Sequence, residues 1–128
     1  MIKGITATML EFQKMIKHEV PKSPRLLTRE EFDLDVYMIR DELEEFEIAW
    51  TKKDLVNSAK EIHDVIYVAC NTAIRMGLDV DAILSEVHRS NMTKSKGGYN
   101  AAGKWQKGPD YKQPSLEQFV CPLEKKEK

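Results

Sequence analysis

The fold of this chain is decided by residues 28–66, TREEFDLDVYMIRDELEEFEIAWTKKDLVNSAKEIHDVI. The stretch contains two acidic pairs, Glu42-x-x-Glu45 and Glu61-x-x-Asp64. Residues three apart lie on the same side of a helix, so each pair presents two carboxylates in one direction. If both pairs lie on neighbouring helices, four carboxylates can meet at one point. The alternative interpretation is that these acids form the solvated face of charged helices.

The first acidic pair lies in a long predicted helix. Thr28-x-x-Glu31 has the form of a capping box, and it opens a helix that we expect to reach about Lys52. Glu42 and Glu45 each precede a residue of the helix's apolar stripe by one position, so both border the predicted packing seam. The stripe that we expect to face the core comprises Phe32, Val36, Ile39, Leu43, Phe46 and Trp50.

The second acidic pair lies in the next predicted helix, which Asp54 can cap and Gly77 can end. A short connection at residues 51–53 favours antiparallel packing of the two helices. The acidic pairs then stand at matching heights and can face each other. The stripe expected to face inward on this helix comprises Leu55, Ala59, Ile62, Ile66, Ala69 and Ala73.

The rest of the chain predicts two further helices and an irregular tail. A stripe of Ile5, Met9, Phe12 and Ile16 indicates a first helix ending before Pro21. A shorter helix is expected from about Asp81 to Asn91, with Ile83, Leu84 and Val87 inward. Glycine and proline replace the helical pattern from Thr93 onward. We therefore predict an all-α bundle of four to five helices with a Gly/Pro-rich C-terminal segment. It forms one domain over residues 1–128, with a body at 1–92 and a basic, mostly irregular tail at 93–128.

Charge divides unevenly along the chain. Residues 1–88 hold 11 Lys and Arg against 17 Asp and Glu, a balance of −6, whereas residues 89–128 hold 9 against 4, a balance of +5. This pattern suits a metal site facing a phosphate-binding segment, and it equally suits attraction between tail and body. The dispersed basic residues do not form a nucleic-acid footprint. No signal peptide or long apolar run is present, which favours a soluble cytoplasmic protein without membrane contact.

Four facing carboxylates suit Mg²⁺, with Mn²⁺ as a substitute, because hard cations prefer oxygen ligands. Such ions can bind a polyphosphate and activate water, so no covalent nucleophile is needed. The sequence has no Walker A loop, nucleophile elbow or zinc-ligand spacing, and its two cysteines form no metal-binding cluster. A di-iron bundle would need Glu-x-x-His on two helices, and no such motif occurs.

A basic segment beyond the last long helix provides candidate phosphate ligands. Lysine binds phosphate as a mobile point charge, and amide side chains can donate to phosphate oxygens. The predicted substrate-binding residues are Asn91, Lys94, Lys104 and Lys107. Each of these lysines is equally compatible with a solvated loop. Tyr99 and Trp105 are candidates for covering a base, whereas Trp50 is expected in the core.

The acidic pairs followed by Val65-Ile66-Tyr67 resemble the all-α nucleoside triphosphate pyrophosphohydrolases, the MazG and phosphoribosyl-ATP pyrophosphohydrolase group. The run at residues 86–94, EVHRSNMTK, resembles the phosphoribosyl-ATP pyrophosphohydrolase-like branch. The resemblance covers roughly residues 28–116. It implies Mg²⁺-dependent cleavage between the α and β phosphates of a nucleotide, giving a monophosphate and pyrophosphate. It also implies that Glu42, Glu45, Glu61 and Asp64 are catalytic metal ligands, and that Asp41 holds the place of an additional catalytic acid.

Two other functions compete with nucleotide pyrophosphohydrolysis. One is a catalytically silent helical module that binds a metal or a partner, and the other is a phosphomonoesterase that releases orthophosphate. The large apolar residues of the two seams exceed what a small bundle buries, and such surfaces mark interfaces. Members of the family that the chain resembles form dimers, and these surfaces therefore predict a homodimer or a dimer of dimers.

Overall fold

In the computed structural model of the protein, the structure describes residues 1–120. Its elements in chain order are α1 Ile5–Met15, α2 Arg29–Thr51, α3 Leu55–Arg75, α4 Val80–Met92, β1 Gly98–Tyr99, β2 Trp105–Gln106 and α5 Glu117–Val120. The prediction of an all-α bundle is confirmed, since the strands form only a two-stranded antiparallel hairpin. Within residues 1–120, no helix has both the length and the apolar character needed to cross a membrane. Cys121 lies outside these residues.

The ends of the two long helices are fixed by the predicted local signals. Thr28 Oγ1 accepts from the Glu31 backbone N–H at 3.2 Å, and the Glu31 carboxylate accepts from the Thr28 N–H at 2.8 Å. Asp54 accepts from the Asn57 N–H at 2.9 Å and opens α3. Gly77 follows α3 with a φ of +75°, and a Cβ there would stand 2.7 Å from the Ser23 carbonyl oxygen. These positions therefore confirm the predicted capping box, N-cap and C′ glycine.

Residues 1–78 and the residues from Asp79 onward form two compact units. In the first unit α2 packs against α3, and α1 packs on α3. The loop between α2 and α3 spans only residues 52–54, so the two helices run antiparallel, as expected. The interior of this unit is largely polar. Its buried residues are Met9, Gln13, Asp35, Ala49, Glu61, Asn71, Ile74 and Arg75.

The predicted apolar seams are wrong at several positions. On α2, Phe32, Leu43 and Trp50 are exposed, and on α3 the same is true of Leu55, Ala59, Ile66 and Ala69. The inward faces are rotated so that Asp35 and Glu61 lie inside instead. Polar residues can occupy an interior when they find partners there, and Asp35 finds one in Arg75. The same correction applies to Leu84 on α4, which is also exposed.

In the second unit the segment after α4 is anchored by side-chain hydrogen bonds. Ser90, which is buried, donates to the Lys112 carbonyl at 2.8 Å, and the Thr93 hydroxyl accepts from the Lys112 N–H at 2.9 Å. Glu86 accepts from the Ser115 N–H at 2.7 Å. These bonds join residues 19 to 29 positions apart, so the tail follows a defined course despite its lack of long helices.

Candidate metal centre

Three of the predicted carboxylates converge between α2 and α3. One oxygen each from Glu42, Glu45 and Glu61 can be chosen so that all three lie within 4.8 Å of one another. Glu42 and Glu45 stand one turn apart in the middle of α2, and Glu61 stands two turns inside α3. The antiparallel hairpin that these helices form therefore brings together acids that are up to 19 positions apart in sequence.

Two carboxylate oxygens of this cluster lack the partners that buried acids usually have. Glu61 is 6% exposed, and Glu42 is half-buried. Within residues 1–120, Glu42 Oε2 and Glu61 Oε2 are buried and have no hydrogen-bond partner. An unpaired buried carboxylate oxygen is costly, so the arrangement fits a site that a hard divalent cation would complete.

Electrostatic repulsion within the cluster also favours the binding of a cation. A hydrogen bond to Glu61, the negative charge of Glu42 and partial desolvation raise the pKa of Glu45 to about 7. This repulsion among neighbouring carboxylates opposes further negative charge in the cluster. A bound cation would remove the repulsion.

Asp64 lies outside this three-carboxylate cluster. Its Oδ2 accepts from Lys60 Nζ at 2.8 Å, and the same ammonium group lies 3.3 Å from Glu61 Oε1. These two bonds, led by the one to Asp64, raise the pKa of Lys60 well above its usual range. The structure thus brings Glu42, Glu45 and Glu61 together and places Asp64 beside them in an ion pair with Lys60.

Asp41 occupies a different surface of α2. It is exposed and lines a shallow depression together with Arg40 and Glu44. Its charge still reaches the cluster, because it contributes to the raised pKa of Glu45. His63, which lies within the second acidic motif, has Nδ1 at 2.7 Å from the carbonyl oxygen of Ala59 on its own helix.

Sequence reasoning missed two polar interactions in the interior of the first unit. Arg75 donates two hydrogen bonds to Asp35, at 2.6 and 3.1 Å, and both side chains are buried. Gln13, which is completely buried, donates to Asn71 Oδ1 at 2.9 Å. Neither interaction has a local signature, since the partners are 40 and 58 positions apart. By contrast, the interaction of Lys60 with Asp64 has helical i,i+4 spacing, which could have been recognised in the sequence.

The predicted substrate-binding residues all belong to the second unit. Asn91, Lys104 and Lys107 are exposed, and Lys94 is half-buried. Lys107 Nζ lies 4.9 Å and Lys94 Nζ 5.7 Å from the ring centroid of Tyr111, so both ammonium groups approach the same aromatic ring. Two of the four predicted residues therefore have an aromatic neighbour in common.

The aromatic candidates also have defined surroundings. Trp105 donates from Nε1 to the Lys94 carbonyl at 2.7 Å and stands edge-to-face with Tyr99 at 5.0 Å. Both therefore stabilise the hairpin while remaining exposed. Trp50, expected in the core, is exposed instead, and Lys53 Nζ lies 3.6 Å above its ring.

Comparison with known proteins adds independent information on this site. A family model described as phosphoribosyl-ATP pyrophosphohydrolase matches residues 9–91. The matched region contains α2 and α3 entirely, and with them both acidic pairs. No curated protein matches the chain.

Proposed function

The chain belongs to the phosphoribosyl-ATP pyrophosphohydrolase family, and from this premise we propose that it is a Mg²⁺-dependent nucleotide pyrophosphohydrolase. The reaction is hydrolysis between the α and β phosphates of a nucleoside triphosphate or related nucleotide, which gives a monophosphate and pyrophosphate. The observation that carries the proposal is the convergence of Glu42, Glu45 and Glu61 within 4.8 Å. Buried oxygens without partners at this point support a cation site rather than a solvated acidic surface.

The proposed metal ligands are Glu42, Glu45, Glu61 and Asp64. When bound, Mg²⁺ or Mn²⁺ supplies charge neutralisation for the phosphoryl oxygens and lowers the pKa of water. The two helices hold the glutamates in position, and burial of Glu61 limits the alternative conformations of its side chain. Asp64 can join as a ligand once its ion pair with Lys60 opens. Asp41 is proposed as an auxiliary acid that adds negative charge from the α2 surface.

Substrate phosphates are proposed to bind Asn91, Lys94, Lys104 and Lys107. Lysine ammonium groups provide charge without fixed geometry, which suits a polyphosphate that changes shape during cleavage. The approach of Lys94 and Lys107 to the same Tyr111 ring supports this role, since it places two cationic side chains on one part of the basic segment.

We also propose a homodimer or a dimer of dimers, in the cytoplasm. Phe32, Leu43 and Trp50 are exposed along α2, and Leu55 and Ile66 are exposed along α3. Large apolar side chains exposed along two neighbouring helices favour association. Light scattering at micromolar concentration tests the proposal, and a mass of 14.8 kDa, that of one chain, would contradict it.

The activity is tested with a panel of nucleotides assayed with Mg²⁺ and with EDTA, with pyrophosphate and orthophosphate measured separately. Pyrophosphate released only with the metal supports the proposal. Orthophosphate as the sole product would indicate a phosphomonoesterase, and no product from any nucleotide would favour the silent metal-binding or interaction module.

A further inference from the structure

A cavity of about 380 Å³ lies within the first unit, bounded on two sides by the helices that carry the carboxylate cluster. Residues of α1, α2, α3 and the loop after α1 line it. Its walls are mostly apolar and aromatic, and its volume falls in the range of pockets that hold small organic ligands. The apolar part of the wall comprises Phe12, Ile16, Leu34, Met38, Tyr67 and Val68.

Two residues of the cavity wall stand one helical turn from proposed metal ligands. Met38 precedes Glu42 by one helical turn, and Val68 follows Asp64 by one turn. Because α2 and α3 are antiparallel, both steps lead toward the same end of the hairpin. The cavity extends to Asp35, seven residues or roughly 10 Å along the helix from Glu42. A nucleotide whose phosphates lie at the carboxylate cluster can therefore place its base here.

The polar groups of the cavity wall are largely engaged with one another. Asp35 and Arg75 bind each other, and Asn71 Oδ1 accepts from Gln13. Glu31 accepts two bonds from Arg25, both at 2.9 Å. Among residues 1–120, four buried side-chain polar atoms lack a partner, and one of them, His18 Nδ1, belongs to the wall.

We propose that this cavity binds the base of the nucleotide substrate and that His18 makes a directional hydrogen bond to the base. The proposal rests on the proposed function, since the phosphates must lie at the carboxylate cluster. Aromatic and aliphatic walls contact the flat faces of any base, whereas His18 Nδ1 donates or accepts according to its tautomer. Apolar walls discriminate weakly among ligands of similar shape, so the preference among bases depends mainly on the hydrogen bond of His18.

The test fills the cavity and compares ligands with and without a base. Val68→Phe adds volume to the wall, and Val56→Phe makes the same change at an exposed position of α3. Binding is measured with Mg²⁺ for a nucleoside triphosphate whose α,β bridge is nonhydrolysable, and for inorganic tripolyphosphate. We expect Val68→Phe to weaken nucleotide binding by about 5- to 150-fold, the range expected from steric overpacking, with tripolyphosphate affinity unchanged. Val56→Phe should change neither affinity.

Other outcomes overturn the proposal. Unchanged nucleotide affinity in a folded Val68→Phe protein places the base elsewhere, and so does an equal loss for both ligands. A change in oligomeric mass with both affinities preserved assigns the cavity to contact between copies of the chain. Pyrophosphate release by the wild-type protein tests the proposed function separately. If the wild type is active and Val68→Phe leaves nucleotide affinity unchanged, only the base site is refuted.

A second variant pair keeps the test valid if Val68→Phe does not fold. His18→Phe retains an aromatic ring without the polar atoms, whereas His18→Asn retains a polar atom near the position of Nδ1. We expect His18→Phe to reduce the spread of kcat/KM across the four bases, and His18→Asn to preserve more of that spread. An unaltered spread in His18→Phe overturns the role of His18.

Discussion

Lys60 Nζ lies 2.8 Å from Asp64 Oδ2 and 3.3 Å from Glu61 Oε1, so one ammonium group bridges both acids of the second motif. Lys60 thus neutralises two of the four acids that we propose as metal ligands. Lys60 is nevertheless well exposed, and ion pairs of exposed groups contribute little because solvent screens them. The bridge is therefore weak enough for a divalent cation to displace.

Replacing Lys60 should consequently strengthen metal binding. Lys60→Met frees Asp64 and removes a competing positive charge, so we expect the Kd for Mg²⁺ or Mn²⁺ to fall by about 1.5- to 5-fold. Titration calorimetry on the metal-free protein measures the change. Lys52→Met removes the same charge beyond the end of α2 and provides the control. Weaker binding by Lys60→Met would mean that Lys60 helps to assemble the site.

Glu61→Gln should abolish turnover without unfolding the protein. The substitution is nearly isosteric, but it removes a negative charge that the metal needs and also relieves repulsion with Glu45. We expect activity to fall by more than about 100-fold, beyond the loss typical of groups that only support a ligand. The melting temperature of the metal-free protein should stay equal or rise. An active Glu61→Gln enzyme that is insensitive to EDTA would refute the metal mechanism.

Breaking the buried Asp35–Arg75 pair should destabilise the first unit strongly. Arg75→Met leaves the carboxylate of Asp35, only 2% exposed, without its cation. We expect a loss of about 3–5 kcal/mol in the free energy of unfolding measured with urea. Arg29→Met breaks an exposed pair with Asp33 on the same helix and should cost no more than about 1 kcal/mol. Similar losses in the two variants would show that the buried pair contributes no more to the free energy of unfolding than the exposed pair does.

These polar interactions explain which parts of the structure the sequence could predict. The Thr28 capping box and the Asp54 cap act over three residues, so their signals are visible locally. The inward direction of α2 was mispredicted because an apolar stripe was taken as the core face. Asp35 turns inward only because Arg75, 40 positions later, meets it there. No periodicity contains that information.

The convergence of three acids could also be predicted from local signals, whereas the separate position of Asp64 could not. Regular helical spacing and a short loop were enough to expect Glu42, Glu45 and Glu61 on facing sides. The spacing also made Asp64 a fourth member of the cluster. A lysine four positions before Asp64 on the same helix competes for its carboxylate, which spacing among acids alone does not reveal.

Acid should destabilise the protein partly through Glu31. Hydrogen bonds from Arg25 and from the Thr28 N–H lower the pKa of Glu31 to about 2, against an ordinary 4.5. Because the folded-state pKa is depressed, this stabilisation is fully present above about pH 4.5 and is lost as pH falls toward 2. Glu31→Gln should therefore lower stability at pH 7 and flatten its dependence on pH between 4.5 and 2. Urea unfolding across this range measures both effects, and parallel curves for the two proteins would contradict the assignment.

Lys94 provides the sharpest test of the basic segment. Its carbonyl oxygen accepts from Trp105 Nε1, a bond that Lys94→Ala retains, and its ammonium group makes only a distant approach to the Tyr111 ring. If the ammonium group binds substrate phosphate, Lys94→Ala should lower kcat/KM by about 10- to 1,000-fold, equivalent to roughly 1.4–4 kcal/mol. The melting temperature should hardly change, because the side chain contributes little to stability. Lys96→Ala, which breaks an exposed pair with Asp110, is the matched control and should leave kcat/KM nearly unchanged. Preserved activity with a melting temperature lowered by several degrees would instead show that Lys94 fastens the hairpin and that the phosphates bind elsewhere.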